Sequence, residues 1–368
     1  MWLIIILLLL ILILIIGLLF MKISPQFGAK ATGDSFDRIK SSKNFKNGKF
    51  RNLEDTSMMT KFDFDTMAKY FSNSQDKVPR FSLPMERINA NSFERNNGKD
   101  IKLTWFGHST LLLEVNNKKI LLDPMLSEVP APLPMLASKR FSKSIPLEII
   151  DFPALDAVLI SHDHYDHLDY LTIVKLKDKV KNFYVSLGIG EHLKLWGIDE
   201  SKIIELDWWQ ESKFDEITFI STPSRHFSGR GLFNMNSTLW CSWVIKSNNH
   251  SIFFSGDTGY NKAFKEIGDK YGPFDLTMLE CGQYNEGWSD IHMMPEETVK
   301  ANMDLKGKTL MPIHWGAFKL SVHSWYEPIE RLLKEANIFN VNVITPKIGE
   351  TVAIGKPIEF EKWWRQHI

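Results

Sequence analysis

Cysteine is scarce: the 368 residues carry two, Cys241 and Cys281. That excludes a disulfide framework, which a chain of this length does not need. Both read as small buried thiols. An excess of one charge is missing too, since 44 Lys+Arg stand against 44 Asp+Glu. With no global basic field, and no dense Lys/Arg patch interleaved with aromatics, nucleic acid is not expected as a partner. No internal repeat is visible, nor any low-complexity segment after the first 21 residues. What is present is ordinary for a globular protein, 44% hydrophobic and 24% charged, with 12 Trp and 25 Phe to fill a core or line apolar pockets.

The first 21 residues, MWLIIILLLLILILIIGLLFM, hold no charged side chain. As a helix they span about 30 Å, the hydrocarbon thickness of a bilayer. No Lys or Arg precedes the run and no small-x-small site follows it, so it reads as an uncleaved anchor rather than a signal peptide. Lys22, Lys30, Arg38 and Lys40 come next. The positive-inside rule then places the bulk of a single-pass protein on the cytoplasmic side, although Asp34 and Asp37 share that flank. Residues 22–98 are polar and weakly periodic, and read as a tether and lead-in with one short helix over FDFDTMAKYF.

A folded domain is expected over residues 99–368. KLTWF, STLLLEV and ILLDP read as strands, as do DAVLIS, NFYVSL, EITFIST, CSWVIKS, SIFFSGD, DLTMLECG and TLMPIHW. GEHLKLWGI, KAFKEIGDKYG, PEETVKANM and SWYEPIERLLKEANI read as helices, the last with Ser324 and Glu327 as a capping box. Hairpins come first and helices alternate later, which suggests two sheets sandwiched between helices.

The stretch LISHDHYDHLDY follows a buried strand. His162 and His164, two apart, face the same way in an extended segment, and Asp166 and His167 follow at a turn. Imidazole and carboxylate suit Zn²⁺, and without a metal such a cluster carries a heavy desolvation cost. The motif is therefore read as half of a two-metal site. His226, Asp257 and His314 each follow another strand, with Gly256 and Gly259 allowing close backbone approach beside Asp257.

HDHYDH matches the H-x-H-x-D-H motif of the metallo-β-lactamase superfamily, and His226, Asp257 and His314 fall in that family's order. The resemblance covers about residues 99–350. It implies an α/β fold, an αββα sandwich behind the N-terminal transmembrane helix, with two zinc ions. His162, His164 and His226 would hold one metal, Asp166, His167 and His314 the other, and Asp257 would bridge them. A water bridged by two metals becomes a hydroxide near neutral pH, and Asp166 sits where it also orients that nucleophile. TWFGHSTLLLEVNNKKILLDP, HMMPEETVKANMDL and PIHWGAFKLSVHSWYEPIERL further resemble the branch of N-acyl-phosphatidylethanolamine-hydrolysing phospholipases D. By that resemblance Asp123 orients a ligand histidine, and His292 touches the substrate's phosphoryl group. Asp166, His292 and Asp257 are the expected catalytic residues. His108 reads as structural near the site, Trp315 and His323 as pocket lining or packing, and His192, His250 and His367 as surface or structural. The function expected is a zinc phosphodiesterase cleaving a phospholipid head group. The alternatives are a hydrolase of a soluble substrate such as a sugar-phosphate lactone, and a non-catalytic metal-binding protein on the same fold.

Overall fold

The computed structural model describes residues 2–58, 64, 68, 76–89, 93, 100–356 and 360–368. Two sheets form the domain. A small hairpin, β1 (Phe45–Lys46) and β2 (Lys49–Phe50), precedes them. The seven-stranded sheet runs in the order β15 (Thr351–Ala353), β3 (Lys102–Trp105), β4 (Leu111–Val115), β5 (Lys118–Leu122), β6 (Leu155–Ile160), β7 (Val180–Ser186) and β8 (Ile203–Leu206). The six-stranded sheet runs β14 (Leu310–Ile313), β13 (Leu276–Glu280), β12 (Ser251–Phe254), β11 (Ser242–Lys246), β10 (Ile217–Thr222) and β9 (Glu211–Phe214).

Continuous apolar strands are those buried on both faces. Ile120, Leu122, Ala157 and Leu159 enter the core between the sheets, while Leu121, Val158 and Ile160 point to the opposite face. There they meet Ile173 and Leu176 of the helix Tyr170–Leu176 and Leu193 of the helix Gly190–Leu195. Trp243 crosses the inner layer and donates its indole N–H to the Ile160 carbonyl at 3.1 Å. The six-stranded sheet is covered by the helices Ala263–Tyr271, Pro295–Asp304 and Glu327–Ile338 through Phe264, Val299 and Leu332. This is the expected αββα sandwich.

β5 to β8 run parallel, as do β12, β13 and β14. Parallel strands present their C-terminal ends on one side, where loops can gather functional groups. Asp123, Ser161, Asp257 and His314 all follow such ends, and Glu280 closes one.

Some local expectations change. β8 and β9 were not expected: IIEL and ESKF are four residues each, too short to show a period. The capping box at Ser324 does not form. The helix starts at Glu327, with Tyr326 as N-cap, no side-chain cap bond, and Pro328 in its first turn, where a missing N–H costs nothing. Glu327 instead accepts from the Tyr284 hydroxyl at 2.7 Å. The helix expected over FDFDTMAKYF lies outside the described residues apart from Phe64 and Ala68.

The segment expected as a tether is packed in part. The helix Gly33–Ser41 buries Ile39, and Arg38 pairs with Glu205 at 2.8 Å. Phe50 is fully buried in the inter-sheet core, and its N–H donates to the Asn236 carbonyl. Phe50→Ala is expected to cost about 3–5 kcal/mol, as for other buried Phe truncations. A thermal melt of the detergent-solubilised chain reads this directly, and an unchanged midpoint would show that the segment is dispensable to the core.

Candidate metal centre

The loop after β6 begins at Ser161, whose N–H donates to Asp123 Oδ1 at 2.7 Å. The Ser161 hydroxyl donates to Asp123 Oδ2, and its oxygen accepts from His162 Nδ1 at 2.9 Å. His167 Nδ1 donates to the same Asp123 carboxylate at 2.7 Å, and His226 Nδ1 donates to the Ile291 carbonyl at 2.9 Å. These partners fix the tautomers: in all three rings Nδ1 carries the proton and Nε2 presents a lone pair. The lone pairs converge. His162 Nε2 and His226 Nε2 lie 2.9 and 3.3 Å from His164 Nδ1. Gly256, at φ +56, keeps the neighbouring loop against Ser161, where a Cβ would come within 2.5 Å of the serine Cβ.

Two groups result. Donor atoms of His162, His164, His226 and Asp257 lie within 4.8 Å of one another, and so do those of His108, Asp166, His167 and His314. Asp257 stands between them. Its Oδ2 is 3.1 Å from His167 Nε2 and 3.8 Å from both His162 Nε2 and His226 Nε2, while its Oδ1 is 3.1 Å from His314 Nδ1. All seven residues expected from the sequence are thus brought together.

The electrostatics ask for a cation. Burial pushes His162, His226 and His314 well below the usual imidazole range and His164 down to about 4, so these rings are neutral, the form that binds metals. Burial raises the Asp257 carboxyl to about 7 even with His167 beside it. Burial also opposes charge on His167, yet Asp257, Asp166 and Asp123 hold its pKa well above the usual value. Both Asp257 Oδ1 and His167 Nε2 are buried without a hydrogen-bond partner. A set of converging imidazoles and two carboxylates, with orphaned atoms facing inward, fits divalent metal.

His108 does more than fill space. Its Nε2 is 2.9 Å from Asp166 Oδ2, which fixes that carboxylate within the second group. His108 and His314 both adopt positive φ, 53° and 65°, and His314 N–H donates to the His108 carbonyl at 3.1 Å. Non-glycine residues seldom adopt this region, and here both turn a ring into the site.

His292 sits beside the centre. Its ring stacks on His314 at 5.3 Å and 15° and meets His226 edge-on at 5.1 Å. Its Nδ1 is 2.7 Å from Glu280 Oε2. Glu280 is fully buried and also accepts from Thr258 N–H and Met293 N–H at 2.9 and 3.1 Å. Sequence reasoning missed Glu280; the signal was a lone acid closing the apolar strand LTMLE.

The alternatives left open for the neighbouring residues are narrowed. Trp315 is core, stacked on Trp105 and Trp363 at 5.5 and 5.7 Å rather than lining a pocket. His323 accepts from Gln283 N–H at 2.8 Å and stacks on Tyr284. His192 is buried, not superficial, 3.3 Å from Asp163 Oδ2. Asp163 also accepts from Gly229 N–H and the Thr238 hydroxyl, and Asp169 caps the helix Tyr170–Leu176. Asn52, from the lead-in, clasps the His226 backbone at both N–H (3.1 Å) and carbonyl (2.8 Å).

Asp123→Asn replaces one of the oxygens that hold His167 and Ser161 with an N–H donor. The expected result is a 10–100-fold loss of metal affinity or activity, the usual cost of losing an orienting partner. Competition with a chromophoric chelator measures it, and wild-type affinity would show that Asp123 does not set the ring.

A family model described as the beta-lactamase superfamily domain matches residues 118–315. An uncharacterised protein of Mycobacterium tuberculosis is 42% identical over 330 residues, 88% of each chain. A Caenorhabditis elegans protein named N-acyl-phosphatidylethanolamine-hydrolyzing phospholipase D 1 is 32% identical over 295 residues, 75% of this chain and 82% of that one. Among solved structures, a metallo hydrolase of Ignicoccus hospitalis superposes with a TM-score of 0.51 at 24% identity, over 71% of this chain and 100% of that chain, a likeness of fold.

Proposed function

The chain belongs to the metallo-β-lactamase superfamily of metal-dependent hydrolases, and from that premise we propose that it is a zinc phosphodiesterase of the phospholipase D type. Its substrate is an N-acylated phosphatidylethanolamine in the membrane to which Trp2–Ile23 anchors it.

One observation carries the lipid half of this reading. The helix Trp2–Ile23 is apolar up to Lys22 and has no buried residue, and at about 33 Å it is long enough to cross a bilayer. Its end is docked beside the motif. Phe20 meets Phe27 at 5.7 Å, and Phe27 meets Tyr165, the residue between His164 and Asp166, at 6.3 Å. A site held this close to a membrane-crossing helix suits a substrate that lives in the same membrane. The named activity of the Caenorhabditis elegans relative supports the same class.

His162, His164 and His226 would hold one zinc and Asp166, His167 and His314 the other, with the Asp257 carboxylate between them. Bound there, the metals supply a water of lowered pKa and positive charge toward the phosphoryl oxygens. The chain does the rest. Asp166, braced by His108, accepts a hydrogen bond from the attacking water and aims it at phosphorus. Glu280 fixes the His292 ring by Nδ1, which leaves Nε2 on its opposite side to meet a phosphoryl oxygen. The water oxygen bonds to phosphorus as the bond from phosphorus to the head-group oxygen breaks, and a proton of that water ends on the departing oxygen, giving phosphatidic acid and an N-acylethanolamine.

The test is the full-length chain in detergent with zinc, offered N-acyl-phosphatidylethanolamine in mixed micelles and, separately, a sugar-phosphate lactone. Release of phosphatidic acid and N-acylethanolamine, followed by mass spectrometry, is the expected result. Turnover of the lactone with an inert lipid would transfer the protein to the soluble-substrate reading.

A further inference from the structure

Away from the metals, a crevice of about 460 Å³ opens where the apolar helix meets the loop after Arg230. Met21, Lys22, Phe27, Lys30, Leu232 and Phe233 are among its lining residues. The volume is that of a small-molecule site. Two cations line it and no acid does. Lys22 and Lys30 are both exposed, and neither makes an ion pair among the described residues. Leu232 and Phe233 are 70% and 79% exposed, an apolar pair held out beside a helix made for hydrocarbon.

The walls are fixed. Asn234 Oδ1 accepts from Arg230 N–H and Gly231 N–H at 3.1 and 2.8 Å, which folds the loop on itself. The buried Arg230 guanidinium donates to the Gln26 carbonyl at 2.8 Å and to the carbonyls of Asp163 and Leu168 at 2.6 and 2.8 Å. On the opposite wall, Trp196 Nε1 donates to the Pro25 carbonyl at 2.7 Å and Ala29 N–H donates to His192 Nδ1 at 2.9 Å. Gly28, at φ +75, makes that approach possible, because a Cβ there would stand 2.3 Å from His192 Nδ1.

We infer that this crevice seats an anionic phospholipid of the surrounding leaflet, with its phosphate between Lys22 and Lys30 and its acyl chains against Phe27, Leu232 and Phe233. The inference rests on Trp2–Ile23 lying in a membrane, as read above. Continuity with that helix sets the depth: Lys22 is in its last turn, where head groups begin. Charge sets the class, since unpaired lysines beside a membrane span favour net-negative lipid over zwitterionic lipid. The seated lipid is distinct from substrate, because none of the residues that line the crevice is among the proposed metal ligands.

The test uses the full-length chain in neutral detergent, loaded with zinc. Its unfolding temperature is followed against dioctanoyl phosphatidylglycerol, dioctanoyl phosphatidylcholine and inorganic phosphate. A saturable rise is expected with phosphatidylglycerol, at a concentration at least roughly tenfold below any effect of phosphatidylcholine, the gap expected when charge decides. Lys22→Ala with Lys30→Ala should abolish the rise, and Phe233→Ser should weaken it, with zinc content unchanged in each. Equal responses to the two lipids, or an intact response in the double lysine variant, would overturn the seat. A matching rise with inorganic phosphate would overturn its lipid character. Since the readout is binding, a chain that binds phosphatidylglycerol yet turns over no N-acylated lipid keeps the seat and loses the proposed substrate.

Discussion

Asp257→Asn is expected to strip metal from both groups and to lower turnover by roughly three orders of magnitude, since the metals supply several kcal/mol of transition-state stabilisation. The reason is geometric. One carboxylate oxygen faces His162, His167 and His226, and the other faces His314. An amide keeps an oxygen for one side only and turns N–H toward the other, where it repels a cation. It also removes the negative charge that burial raises to a pKa of about 7 when only protein atoms surround it. Elemental analysis of purified variant and wild type, each dialysed against the same free zinc, decides the matter. Full metal content in the variant would mean that Asp257 bridges nothing.

His292→Ala is expected to separate binding from chemistry. The ring is stacked on His314 but held by Glu280, so its loss should leave zinc in place. Turnover of the phosphodiester should fall by roughly 10²–10³, the cost of deleting one donor aimed at a developing oxyanion. The truncation also strands Glu280, whose buried carboxyl already sits well above the usual range. His292→Gln guards against that, since it offers Glu280 a donor; a comparable loss in both variants with unchanged melting points assigns the effect to the imidazole. Should His292→Ala release metal, the residue is a ligand and the proposed role fails.

The residues proposed as ligands could be picked out because they put polar side chains in the loops that follow apolar strands, a pattern that folding energetics alone does not favour. The place of Asp257 between the two groups was suggested only by the resemblance, as nothing local in FFSGDTGY says where two oxygens will point. What escaped was whatever depends on distant packing. Asn52 clasps a residue 174 positions away, and NGKFRN gives no hint of it. His192 read as surface or structural, yet with Asp163 it joins the motif loop to the segment after the apolar helix Trp2–Ile23. Glu280 was missed, since a lone acid closing LTMLE gives no sign that its partner is His292. β8 and β9 escaped for the opposite reason: four residues at a sheet margin leave too little pattern to read.

The clamps on Pro25, Gln26 and Ala29 have a kinetic consequence. An enzyme on a long slack leash samples a volume, and its rate follows the amount of substrate per litre. Here the leash has no slack, so on the proposed function the catalytic face would meet only what drifts sideways through the leaflet beneath it. The rate law expected from that proposal is two-dimensional: at fixed bulk lipid, adding inert lipid would slow turnover by surface dilution, and the mole fraction of substrate in the membrane would become the concentration that matters.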